Sequence, residues 1–158
     1  MFTATLAHTF DAAHRLPHLP GKCTNLHGHT WRVSFTVGAR FLSDDATLVE
    51  FGAFKRLMRD WIDDRIDHAA MLGAGDPLVA ALRDQGCRVF TFGVDYPTFA
   101  WPTVEAVASM LAHQADDWLE QIDRPADAML LQVDVSETPN NTASWMINPT
   151  SGPLGVTA

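Results

Sequence analysis

Apolar and polar residues alternate along residues 2–13, which predicts a β-strand. Phe2, Ala4, Leu6, His8, Phe10 and Ala12 fall on one face, and Thr3, Thr5, Thr9 and Asp11 on the other. Residues 29–37 alternate more sharply, with Trp31, Val33, Phe35 and Val37 set against Thr30, Arg32, Ser34 and Thr36. The loop between them holds Pro17, Pro20 and Gly21, and two strands joined this way pair most simply antiparallel. The period then changes. Phe54, Leu57, Met58, Trp61, Ile62 and Ile66 repeat at helical spacing and predict a helix over residues 52–66. Asp76-Pro77 opens a short second helix through Leu82 that stops near Gly86, and Arg88 to Phe92 is a short strand rich in β-formers. Pro97 and Pro102 mark a loop. A long helix over 103–122 buries Val104, Val107, Ala108, Leu111, Ala115, Trp118, Leu119 and Ile122, with Thr103 as its N-cap. The last strand is expected over 128–136, with Met129, Leu131, Val133 and Val135 on one face. Pro139, Pro149 and Pro153 predict an irregular tail after Glu137. This order of elements, each with one apolar face, predicts an α+β layer fold: an antiparallel sheet covered on one side by helices.

Composition narrows the functional classes. The 158 residues suit one domain, and no linker or repeat divides them. Hydrophobic residues make up 47% and charged residues 19%, a globular balance. Eleven Lys plus Arg against nineteen Asp plus Glu give a net charge of −8, which argues against sequence-independent binding to nucleic acid or anionic membranes. No run approaches the roughly 20 apolar residues of a membrane span. Two cysteines, Cys23 and Cys87, form no disulfide framework and suit a reducing cytosol. Met1 to His8 lacks a basic segment and a long apolar run, so no signal peptide is expected.

The chemistry concentrates in His14-Arg15-Leu16-Pro17 and Lys22-Cys23-Thr24-Asn25-Leu26-His27-Gly28-His29. On an extended chain His27 and His29 point to one face and can reach one ion. If the two strands pair, His14 arrives beside them from across the ladder. Three neutral imidazoles with an open fourth position describe a catalytic zinc site rather than a closed structural one. Cys23 lies four residues before His27, where a nearby cation would lower its pKa; a thiolate there could be a metal ligand, a nucleophile or a base. Cys87 starts an apolar strand and is assigned to packing, and His8, His18 and His113 to ordinary core or surface positions. Asp67-His68 follows the first helix, and an aspartate can fix the tautomer of a histidine. Equally, His68 could be a helix-end histidine favoured by the macrodipole. Glu137 ends the last strand on the face of Val133 and Val135. A carboxylate there could accept paired N–H donors from a flat heterocycle, or it could be a solvated strand end.

In order and position these residues resemble the 6-pyruvoyltetrahydropterin synthase / 6-carboxytetrahydropterin synthase family. The resemblance covers residues 3–138. It rests on Phe10-Asp11-Ala12-Ala13-His14-Arg15-Leu16, Cys23-x-x-x-His27-Gly28-His29, Asp67-His68, Pro102-Thr103-Val104-Glu105 and Glu137-Thr138-Pro139. The 6-pyruvoyl enzymes usually place five residues between the cysteine and His-Gly-His, and the 6-carboxy enzymes three. Here Thr24, Asn25 and Leu26 make three. A third branch carries a glutamate near this position and acts as an aldolase, which Cys23 argues against.

The resemblance implies the tunnelling fold, a four-stranded antiparallel sheet with two main helices on one face, over residues 1–141, followed by an extension over 142–158. It implies zinc held by His14, His27 and His29, Cys23 as general base, and Asp67 with His68 as a relay for a second proton. Glu137 would anchor a pterin, with Thr103 adding a hydrogen bond. The implied substrate is 7,8-dihydroneopterin triphosphate, with no redox cofactor. Relatives form trimers stacked into hexamers with sites between subunits, so a cytoplasmic homo-oligomer is expected. For the triphosphate, Arg15, Lys22 and Arg32 flank the metal motif and are the candidate cations. Two departures stand out: Glu50 where many relatives have aspartate, and Ala106 where they often have a polar residue, in Thr103-Val104-Glu105-Ala106. The segment 73–100 is longer than in compact relatives, which suggests a lid, an interface arm or a disordered stretch. A zinc-binding protein without turnover is the competing class, but Cys23, Asp67, His68 and Glu137 would be superfluous to it.

Overall fold

The structure is a computed structural model and describes residues 1–147. Two long strands dominate it, β1 (Phe2–His14) and β2 (His27–Ala39). They pair antiparallel over their whole length, from Phe2 opposite Ala39 to His14 opposite His27. The alternation read from the sequence is the burial observed. Leu6, Phe10, Ala12 and His14 of β1 and Trp31, Val33, Phe35 and Val37 of β2 face inward.

The helices α1 (Phe51–Arg65) and α3 (Val104–Glu120) close over this face. Phe54, Met58 and Ile62 recur every fourth residue on α1, and Phe35, Phe54 and Trp118 meet edge to face at 5.6–5.7 Å between ring centres. Glu50 caps α1 by accepting from the N–H groups of Gly52 and Ala53, so this departure from the aspartate of relatives still performs the capping task. Thr103 caps α3 through the N–H of Ala106, 3.2 Å away.

The sheet is larger than the four antiparallel strands expected. Among the described residues it has six, and it is mixed, in the order β4-β3-β1-β2-β5-β6. Two strands, over residues 69–73 and 141–146, lie beyond those expected. Ala69–Gly73 forms β3, which runs parallel to β1 and pairs with it only at Ala12 to His14. Through the short helix α2 (Leu78–Asp84) the chain returns as β4 (Val89–Phe92), parallel to β3. The long segment after residue 73 is thus an ordered β–α–β annex at one edge of the sheet. At the other edge β5 (Met129–Thr138) is followed by β6 (Asn141–Met146), where an irregular tail was expected. The turn at Pro139 and Asn140 reverses the chain, and Trp145 of β6 packs against the core. The expected boundary at 141 therefore falls within a hairpin, and residues 148–158 of the expected extension lie outside the described residues.

One further difference lies within β5. Val133 and Val135 face inward as expected, but below them Leu130 does so rather than Met129 and Leu131. The register explains it. Thr36 pairs with Gln132 and Val37 with Leu130, so Leu131 is an extra residue in a β-bulge. Gly38 makes room for it, since a Cβ there would collide with the Leu131 side chain.

Candidate metal centre and active site

Two strand ends bring three imidazoles together. Across the ladder His14 stands opposite His27, and His29 opposite Ala12. Ring centres are 4.6 Å apart for His14 and His27, 5.2 Å for His14 and His29, and 4.8 Å for His27 and His29. One nitrogen from each lies within 4.8 Å of the other two. Trp31 forms the floor. It is fully buried, its indole N–H donates to the carbonyl of Ala12, and its ring meets His14 and His29 edge-on.

The protonation of the cluster follows from its hydrogen bonds. His14 Nδ1 lies 3.0 Å from the carbonyl of Pro102, and His27 Nδ1 2.8 Å from that of Asn25. A carbonyl can only accept, so each Nδ1 carries a hydrogen, and Nε2 is the nitrogen left for a ligand. The Nε2 atoms of His14 and His29 are buried with no hydrogen-bond partner. Burial, with the neighbouring imidazoles adding to it, holds His14 below the ordinary imidazole pKa, and burial does the same for His29. Orphaned Nε2 atoms on His14 and His29 and carbonyl-anchored Nδ1 atoms on His14 and His27 are what a divalent metal such as zinc requires of its ligands and their supports. The residues therefore fit a zinc ion.

Glu137 stands at the rim of this cluster. Its Oε2 is 3.6 Å from His14 Nε2, too far for a hydrogen bond, and its Oε1 accepts from Asn141 Nδ2 at 3.2 Å. The three-histidine set includes neither Glu137 nor Cys23. Cys23 is exposed on a 3₁₀ turn (Lys22–Thr24) in the loop beyond the His14–His27 pair. The carbonyl of Cys23 accepts from Leu16 N at 2.7 Å, which closes that loop. Lys22 is exposed on the same turn. Arg15 does not face solvent as a free cation. Its Nε donates to Asp76 Oδ2 at 2.7 Å and its Nη2 to Oδ1, against a carboxylate that is fully buried. That two-pronged pairing removes Arg15 from the cations open to a triphosphate.

Asp67 and His68 lie elsewhere. His68 lines a hollow of about 570 Å³ with Asp11, Gly28, His29, Thr30, Cys87 and Arg88. In β1 and β2, Asp11, Gly28 and Thr30 point away from the face that carries the three histidines. Arg32, beside them on β2, shares this reverse face. Within one chain the dyad and the histidine cluster thus approach the strands from opposite faces, with His29 bordering both. The dyad itself is well formed. Asp67 Oδ2 accepts from His68 Nδ1 at 2.7 Å, and Asp67 Oδ1 accepts from the Asp11 backbone N–H at 2.9 Å. Burial pushes the Asp67 carboxyl up, but the Asp11 N–H and the His68 ring together outweigh it and hold the group below the usual aspartate range. His68 adopts a left-handed backbone, φ +54°, at a position where glycine would be unstrained. That conformation costs about 1–2 kcal/mol for a residue with a Cβ.

Sequence reasoning missed three contributors. Trp31 was read as core alone. The Pro102 and Asn25 carbonyls carry no side-chain signature. The Arg15–Asp76 pair joins residues 61 positions apart, and no local pattern announces it.

Comparisons with known proteins bear on the family and the fold. A family model described as 6-pyruvoyl tetrahydropterin synthase matches residues 3–147. A probable 6-carboxy-5,6,7,8-tetrahydropterin synthase of Halobacterium salinarum is 33% identical over 133 residues, covering 84% of this chain and 79% of that protein. The 6-carboxy-5,6,7,8-tetrahydropterin synthase of Aquifex aeolicus is 27% identical over 124 residues, covering 78% and 75%. Among solved structures, a Caenorhabditis elegans 6-pyruvoyl tetrahydropterin synthase superposes with a TM-score of 0.64 at 20% identity, covering 93% of this chain and 96% of that one. One from Plasmodium vivax gives 0.62 at 17%, covering 94% and 99%. At such identities the structural likeness bears on the fold alone.

Proposed function

This chain belongs to the 6-pyruvoyl tetrahydropterin synthase family, and on that premise we propose that it is a zinc-dependent 6-carboxy-5,6,7,8-tetrahydropterin synthase acting on 7,8-dihydroneopterin triphosphate. The observation that carries the metal-dependent chemistry is the pair of buried, orphaned Nε2 atoms on His14 and His29, beside His27. The choice of product rests on the three residues between Cys23 and His27, in keeping with the names of the curated relatives.

Zinc, when bound by His14, His27 and His29, supplies Lewis acidity to the side-chain hydroxyls of the substrate. Pro102 and Asn25 hold two of the three rings through Nδ1, so these ligands need no reorientation. Glu137 offers its free oxygen to the N–H groups of the pterin, and Thr103 borders the same side through the neighbouring Pro102. Cys23 takes the proton from the side-chain carbon next to the ring. Asp67 fixes His68 with the hydrogen on Nδ1, which leaves Nε2 free to move the second proton. Elimination of triphosphate and cleavage of the side chain then give 6-carboxytetrahydropterin and acetaldehyde. The side chain brings two oxygens apart from the phosphate ester, and these products need three, so water supplies the last.

Because the dyad and the histidines occupy opposite faces of one sheet, we assign the completed site to an assembly in which one subunit's dyad meets another's metal cluster. The resemblance suggests a trimer or a stacked hexamer. β3 pairs with β1 only at Ala12 to His14, so most of this β1 edge is open to a neighbouring chain. Lys22 and Arg32 remain as cations for the triphosphate. A cytoplasmic setting and a place in deazapurine or queuosine synthesis complete the proposal. Two free, exposed cysteines are in keeping with a reducing compartment.

The test is a product assay. Zinc-loaded protein is incubated with 7,8-dihydroneopterin triphosphate and the products are identified by mass spectrometry. Carboxytetrahydropterin with acetaldehyde is the expected result. Pyruvoyltetrahydropterin alone would reassign the product, and no turnover would favour a binding protein.

A further inference from the structure

Helix α1 ends in a way that leaves one carbonyl exposed to loss. Ile66 and Asp67 both donate their N–H groups to the carbonyl of Ile62, at 2.9 and 2.8 Å. In a continuing helix the Asp67 N–H would instead have gone to Asp63. The Asp63 carbonyl is therefore left without its helical partner, as the last carbonyls of a helix commonly are. Arg88 supplies the missing donor. Its Nη1 reaches the Asp63 carbonyl at 2.5 Å and the Asp67 carbonyl at 3.1 Å. A cation at this end also complements the helix dipole.

These two bonds flank the strained residue. The Asp67 carbonyl belongs to the peptide that leads into His68, whose backbone is left-handed and whose N–H donates to Asp11 at 2.6 Å. On the far side, Ala70 N donates to the carbonyl of Arg88 itself, at 3.0 Å. Arg88 thus holds the chain on both sides of His68, once through its side chain and once through its backbone. It also borders the hollow that His68 lines. It is delivered there by β4, the return strand of the annex.

We propose that Arg88 is a positioning residue for the Asp67–His68 pair: its guanidinium clamps the end of α1 to the peptide before His68 and so maintains the strained backbone that aims the imidazole. This rests on the reading of Asp67 and His68 as the pair that moves a proton. The annex then has a task beyond widening the sheet, because it carries the clamp.

The test uses the full-length, zinc-loaded protein with Arg88→Ala and Arg88→Lys. Amide hydrogen exchange is followed at His68 and Ala70, alongside kcat, KM and zinc content. Arg88→Ala is expected to speed exchange at His68 by about tenfold or more and to lower kcat by about 10- to 100-fold, as for a misplaced catalytic group, with KM within about twofold and zinc retained. Arg88→Lys keeps a cationic donor near both carbonyls and is expected to recover most of both losses. Unchanged exchange at His68 in Arg88→Ala would overturn the proposal whatever the activity. So would a raised KM with normal exchange, which would make Arg88 a substrate contact. The dyad's own role is read separately, from His68→Ala in the parent protein. If that variant turns over normally while Arg88→Ala still loosens His68, the clamp stands and the catalytic reading of the dyad falls.

Discussion

The two faces of β1 and β2 meet the same demand, holding imidazoles in place, by different means. On the inner face, His14, His27 and His29 continue the alternation that buries Phe10 and Trp31, so the regular ladder itself aims them. Their supports are carbonyls and a buried indole, and each backbone is relaxed. On the reverse face, His68 sits in a left-handed turn between a helix end and a three-residue parallel pairing. It is mostly exposed, its side chain 77% accessible, and it depends on long-range hydrogen bonds to Asp11 and Arg88. A metal cluster must hold three atoms to one point, which a ladder does well. The proton-moving role proposed for His68 would require it to approach a second body, and an exposed, locally strained site suits that.

Several substitutions would break or sharpen this contrast. His29→Ala has the largest expected effect: zinc content measured by metal analysis falls to background and turnover vanishes, while the helices and sheet persist by circular dichroism. A variant that retained full zinc would separate His29 from the metal. His68→Ala is expected to lower kcat by about 10²–10⁴-fold with zinc content unchanged, and loss of zinc there would mean that the two faces are coupled. Cys23→Ala should act in the same range, again with zinc retained. If zinc were lost instead, the thiolate would be a ligand. Trp31→Ala removes the floor of the cluster and is expected to destabilise the fold by about 3–5 kcal/mol in urea unfolding. A cost under 1 kcal/mol would show that the strand ends are held by the imidazoles themselves.

The smallest effect belongs to the Arg15–Asp76 pair. The Arg15 guanidinium, with the N–H of Leu78 adding to it, holds the Asp76 carboxyl below the ordinary aspartate range. A depressed folded-state pKa contributes stability that is present above the unfolded value and lost as pH falls through the folded one. Asp76→Asn is therefore expected to cost about 1–3 kcal/mol at pH 7. Its urea midpoint should converge on that of the parent as pH drops below about 4. A gap that stayed constant with pH would assign the effect to packing alone.

Much of the inner face was legible in the sequence, because period two is a strong signal over thirteen residues. The pairing of β1 with β2 and the approach of His14 to His27 follow from it, though β2 starts two residues earlier than expected, and the two main helices follow from the helical period. The reverse face was harder to read. Ala69-Ala70-Met71-Leu72-Gly73 is short, wholly buried and without alternation, so nothing marks it as the strand β3. β6 hid behind Pro139, though Ala143 and Trp145 alternate with Thr142 and Ser144. Asp67-His68 could be recognised as a pair, yet which face it occupies depends on β3, and its anchor Arg88 looks from the sequence like no more than a strand opening.

The bulge at Leu131 divides β5 into two lengths that keep separate time. Below it, Leu130 belongs to the core; above it, Val133 and Val135 do, and Glu137 lies 3.6 Å from His14 Nε2. With unbroken alternation from Leu130, Ser136 would point inward and Glu137 outward. The extra residue works as a half-step in the rhythm of the strand, and it brings the last carboxylate to the side of the three histidines. The lower length can then follow whatever beat best fills the space under α3, and the upper length stays in phase with the chemistry.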